Sequence, residues 1–182
     1  MFALRFAPLF LFATSFVSGA AVVHKRSSTA DIETVFNTLK SSTDSILPQI
    51  NSLVAGGTAS DATVTPLIND LTAALDTATA SLASLDPVGE SSKRQSDDEI
   101  ANLVAGILTD ITNALDGLLG EAASIPTLGV LLAGIDTSLN QVLRGLEQLL
   151  AGVLRLVANL LVDVANLLRS LALGLTLATL GL

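Results

Sequence analysis

Apolar residues return at alternating spacings of four and three along most of this chain, and that period admits amphipathic helices and little else. One stripe places Ile32, Phe36, Leu39, Thr43, Ile46, Ile50 and Leu53 on a common face. A second places Val64, Ile68, Leu71, Leu75, Ala78, Leu82 and Leu85 in the same register. Gly56-Gly57 separates them, and Asp61, Thr63 or Thr65 can cap the second, with Pro66 suited to its first turn. Pro48 falls inside the first stripe and should kink or interrupt that helix, because it donates no backbone hydrogen bond. A third stripe runs through Ile100, Leu103, Val104, Ile107, Ile111, Leu115 and Leu118. Ser96 with Glu99 matches a capping box at its start, and Asp97-Asp98-Glu99 suits a helix N-terminus. The expected fold is all-α: an N-terminal amphipathic helical hairpin followed by a long, very hydrophobic helical C-terminal half.

The two halves differ in composition. Between Ser27 and Ser92, 21 of 66 residues are Ser or Thr and eight are Leu; between Gln95 and Leu182, 10 of 88 are Ser or Thr and 25 are Leu. Past the Ile125-Pro126 break, a long pattern runs from about Leu128 toward Leu171. Its polar residues, Arg144, Gln148, Arg155, Asn159, Asp163, Asn166 and Ser170, draw one narrow stripe, with Gly152 filling a gap. A continuous helix from Asn140 to Leu173 would be roughly 50 Å long. Such a helix is apolar around most of its circumference, which a small fold cannot easily cover. Five or six exposed leucines would make roughly 10 kcal/mol available from adsorption or assembly. Leu150, Leu154, Leu161 and Leu168 are the expected surface-contact residues. The charge-free end from Ser170 to Leu182 falls short of the roughly 20 residues a bilayer core requires.

The N-terminus reads as a secretory signal: Arg5, an apolar run from Phe6 to Phe16, then small residues at Ser18-Gly19-Ala20. Cleavage is expected after Ala20 or Ala21, and a dibasic pair, Lys25-Arg26, marks a second cut after Arg26. Lys93-Arg94 is a further dibasic candidate, at Arg94, beside the Asp86-Pro87-Val88-Gly89 turn. The expected layout is a signal peptide over 1–20, a pro-segment over 21–26, a Ser/Thr-rich helical hairpin over 27–92, a polar linker over 93–99 and a hydrophobic helical region over 100–182. The product would be secreted, to the extracellular space or cell wall.

Trimming at Arg26 removes the one histidine, His24, and leaves six basic residues against 17 acidic ones, a net charge of −11 in place of −8. The mature chain would have no Cys, His, Tyr or Trp. That excludes a disulfide framework, and with it the hydrophobins. It removes the usual nucleophiles, general bases and zinc ligands, so no enzyme activity, cofactor or metal is expected. Asp97-Asp98-Glu99 lacks the glycine-containing ligand loop of an EF-hand. An acidic chain with six scattered bases does not bind nucleic acid through phosphates.

Asp31-Ile32-Glu33-Thr34-Val35-Phe36 and Leu71-Thr72-Ala73-Ala74-Leu75-Asp76 resemble the hydrophobic surface-binding protein A family of filamentous fungi. The layout, with a hydrophilic half before a hydrophobic one, is also similar to cysteine-free secreted proteins of mushroom-forming fungi. The resemblance implies attachment to hydrophobic surfaces and aerial hyphal growth, and brings no catalytic residues. The expected function is that of a non-enzymatic surface-active or structural protein of the hyphal surface or matrix. Its expected partners are hydrophobic surfaces or interfaces, and further copies of itself. The alternatives are a secreted lipid-binding module and a precursor of membrane-active peptides.

Overall fold

Ser28 closes a capping box at the start of the first helix. Its amide donates to Asp31 Oδ2 at 2.8 Å while its hydroxyl accepts from the Asp31 amide at 3.3 Å, starting α1 (Thr29–Ala55). The computed structural model describes residues 28–88 and 93–182, with side chains in the second stretch from Asp97 onward. Ala20 and Arg26 therefore lie outside the described residues. No strand occurs among the described residues, so the fold is all-α.

Helix α1 ends where Gly57 takes a left-handed φ of 61°, which glycine adopts without the penalty a Cβ would bring. Pro48 does not interrupt it; the helical assignment continues to Ala55. Helix α2 (Asp61–Ala83) starts at the cap residue Ser60, whose amide donates to Thr63 Oγ1 at 3.0 Å. Pro66 sits in its second turn rather than its first. Ile32, Phe36, Leu39, Thr43, Ile46 and Ile50 are buried on α1, and Val64, Ile68, Leu71, Leu75, Ala78 and Leu82 on α2, as the periodicity requires. Val35 and Leu39 share a groove with Ala78 and Ser81, while Ser52 and Leu53 share one with Thr63 and Leu67. The two helices thus run in opposite directions along each other.

Helix α3 (Lys93–Leu119) begins three residues before Ser96. The expected linker over 93–99 is thus already helical, and Asp97-Asp98-Glu99 lie inside the helix rather than at its cap. A 3-10 turn over Ala122–Ser124 leads to α4 (Leu128–Leu149). Then come α5 (Val153–Leu160), a 3-10 turn over Val162–Val164, α6 (Ala165–Ser170) and α7 (Gly174–Leu180).

Packing ties the halves of the sequence into one bundle. Helix α1 lies against α2 and α3, and α2 lies against α4. The short helices fill the opposite side: α5 touches α3, α4 and α7; α6 touches α3 and α7; α7 touches α4. Helix α3 is therefore covered on two sides. That explains why Ala101, Ala105, Leu108, Thr112 and Ala114 are buried together with the predicted stripe, in which Leu103 alone is half-buried. The buried Thr112 hydroxyl is satisfied by the Leu108 carbonyl at 2.6 Å.

The long helix expected over Asn140–Leu173 does not form. Leu150 leaves the helical region, with φ −131° and ψ 84°, and Gly152 takes a φ of 92°. The helix end created there is anchored twice. The Leu149 carbonyl accepts from the Val88 amide at 3.1 Å, and Glu147 caps the start of α5. A second reversal follows α6, where Ala172 takes a φ of 57° and the Leu173 amide closes onto the Leu168 carbonyl at 3.0 Å. A left-handed alanine costs roughly 1–2 kcal/mol, so packing on either side must hold this turn.

Candidate functional site

The expected surface-contact residues are in the core. Leu161 and Leu168 are 0% exposed, Leu150 1% and Leu154 7%. Folding at residues 150–152 and 172 lets three short helices turn their leucines inward from different directions, which a straight rod cannot do. The polar stripe itself is correct. Arg144, Gln148, Arg155, Asn159, Asp163, Asn166 and Ser170 are all exposed. The large apolar side chains left exposed among the described residues are Val130, Leu160, Val162 and Leu175, scattered over α4, α5, the following turn and α7. Arg94 falls in the first turn of α3.

The C-terminal segment is held to the bundle by packing and by a few polar ties. Asp136 on α4 accepts from the Leu175 amide at 2.9 Å and the Thr176 amide at 2.8 Å, capping α7 from another helix. Thr179 Oγ1 donates to Asn140 Oδ1 at 2.5 Å. Ser170 Oγ lies 3.5 Å from Asp116 Oδ1 on α3. Glu147 accepts from the Gly152 amide at 2.8 Å and the Leu154 amide at 3.3 Å, occupying both its oxygens. Such carboxylates at helix N-termini combine hydrogen bonding with the favourable end of the helix dipole. Glu147→Ala is expected to lower stability by about 1–2 kcal/mol, read as a reduced urea midpoint with an unchanged denaturant slope.

A cleft of about 700 Å³ opens between α4, α5 and α7. Arg144, Gln148 and Arg155 stand at it, and Leu154, Leu175, Ala178 and Leu180 form its apolar lining. Sequence reasoning placed the two arginines on the polar stripe but could not bring α7 beside them. Elsewhere, Lys40 pairs with Asp44 at 3.0 Å and lies 3.7 Å from Asp110. The Asp44 hydrogen bond, aided by the charge of Asp110, holds the Lys40 ammonium above its usual range. Among the described residues, no group of three or more His, Cys, Asp or Glu side chains is placed to hold a metal ion. No helix there is long and apolar enough to cross a membrane.

No family model matches the chain. Over 60 residues it is 55% identical to the "Fruiting body differentiation protein 16" of Flammulina velutipes, a stretch covering 33% of this chain and 47% of that protein. The match thus spans about half the length of this curated relative. The kinship is with a fungal protein; it does not reach the hydrophobic surface-binding protein A family specifically.

Proposed function

We propose that this chain is a secreted, non-enzymatic structural protein of the fungal hyphal surface or matrix. It serves fruiting-body development by adsorbing to hydrophobic surfaces, promoting attachment or aerial growth. The observation that carries the reading is the construction of residues 150–182: a leucine-rich segment in three short helices, turning at Gly152 and Ala172, with few polar ties to the rest. In water its leucines belong inside. At an oil or air boundary the segment can swing out, because the second phase replaces the core it leaves. Each leucine so transferred keeps about 1.5–3 kcal/mol of its burial. Neighbouring opened copies would pack through the same residues. The secretory leader read at the N-terminus and the developmental name of the fungal relative support the reading. No catalysis is proposed for a mature chain without Cys or His.

The test holds the segment shut. Asn140 and Thr179 face each other across α4 and α7, and the natural sequence has no cysteine. Asn140→Cys with Thr179→Cys therefore gives a single bridge that fixes the far end of the segment while α4 fixes its start. In pendant-drop tensiometry the oxidised protein is expected to leave interfacial tension near the buffer value, and reduction is expected to restore the fall. An oxidised protein that spreads as fast as the reduced one sinks the proposal.

A further inference from the structure

We infer that the cleft between α4, α5 and α7 binds the anion of a single-chain fatty acid, with Arg144 and Arg155 holding the carboxylate and the apolar lining receiving the chain. The inference concerns the closed bundle and is independent of adsorption. The chain is strongly acidic, yet two of its few cations meet at one cleft. Among the described residues Lys40 is ion-paired and Arg169 donates to Asn166 Oδ1 at 3.0 Å, whereas Arg144 and Arg155 have no hydrogen bond or ion pair to the protein. The carboxylate at the cleft, Glu147, directs both oxygens to the amides of α5 and so does not engage either guanidinium.

The lining decides the rest of the ligand. Leu154, Ala178 and Leu180 give the cleft an apolar wall, and Leu175 stands 48% exposed beside it. Arg144 and Gln148 also border a neighbouring groove of about 370 Å³ walled by Leu82, Leu85, Pro87 and Leu149. A small inorganic anion would leave this apolar surface wet, and a neutral hydrocarbon would leave both arginines unanswered. A carboxylate on a long chain satisfies both. Guanidinium groups grip carboxylates in a planar, two-bond geometry, and a cleft of several hundred Å³ that sets charged heads beside apolar side chains suits an amphiphile.

Calorimetry on the full mature chain with dodecanoate, kept below its micelle concentration, tests the assignment. One dodecanoate per chain is expected. Dodecanol should bind at least tenfold more weakly, and butyrate should not bind measurably. Arg144→Gln with Arg155→Gln should weaken dodecanoate at least tenfold, with the melting temperature retained because both side chains are exposed. Leu175→Glu should do the same from the apolar side. Equal binding of dodecanol, full affinity in the double arginine variant, or uptake of many dodecanoates per chain would each overturn the site. Should Leu175→Glu fail to fold, the arginine variant decides.

Discussion

Lysine at Leu150, Leu154, Leu161 or Leu168 is expected to unfold this protein, and alanine at Leu161 or Leu168 to cost about 2–5 kcal/mol. Both of the latter side chains are fully removed from solvent. Truncation to alanine loses the transfer free energy of the removed carbons and leaves a cavity that rigid neighbours fill only in part. A domain of this size holds only about 5–15 kcal/mol in total, so one such change removes a large share. Lysine is worse, since an unpaired ammonium in an apolar core costs several kcal/mol or forces the chain open. The neighbouring residue supplies the control. Leu160 is 47% exposed, and Leu160→Lys should shift stability by no more than about 0.5 kcal/mol. Urea unfolding followed by circular dichroism separates the two. Native-like midpoints for lysine at both 160 and 161 would mean that the segment is not packed as described.

The contrast between Leu160 and Leu161 shows where sequence reading succeeds and where it stops. Period alone identified the buried faces of α1 and α2, because each is a long helix with one partner-facing stripe. It identified the wet residues from Arg144 to Ser170 for the same reason: a polar side chain seeks water in any arrangement. It failed on the leucines between them. A leucine is compatible with a core, an interface or a membrane, and what decides is the path of the backbone. Here that path turns on single residues. Gly152 read as one more small residue in a polar stripe, and Ala172 carries no turn signature at all, since alanine ordinarily favours a helix. The caps that stabilise the new helix starts are equally hidden. Glu147 looks like an ordinary surface acid, and Asp136 serves a helix 39 residues further on. The arginine cleft was invisible for a related reason: Arg144 and Arg155 belong to one stripe in sequence, but the apolar wall facing them comes from α7.

Asp136→Ala is expected to free α7 while leaving the rest of the bundle folded. The start of α7 has no cap of its own: Leu173 precedes Gly174, and neither offers a side-chain acceptor. The Leu175 and Thr176 amides are satisfied by the two oxygens of Asp136, which is 6% exposed, and Thr176 is fully buried. Removing the carboxylate takes the acceptor from both amides, and at the fully buried Thr176 the unpaired donor costs about 1–3 kcal/mol. Asp136→Asn keeps one carbonyl acceptor and should lose less. The loss is local because the contacts of α7 fall mainly on α4 and the short helices, whereas the α1–α2–α3–α4 packing does not pass through it. Hydrogen exchange should therefore show amides of α7 losing protection in Asp136→Ala while those of α1 and α2 keep theirs. Two further readouts follow from what α7 covers. Dodecanoate affinity should fall, because Leu175 and Leu180 leave the cleft with the helix, and spreading at an interface should quicken, because one of the few ties holding the leucine-rich segment closed has been cut. A uniform loss of protection across all helices, or stability within about 0.5 kcal/mol of the parent, would show that Asp136 does not hold α7 in place.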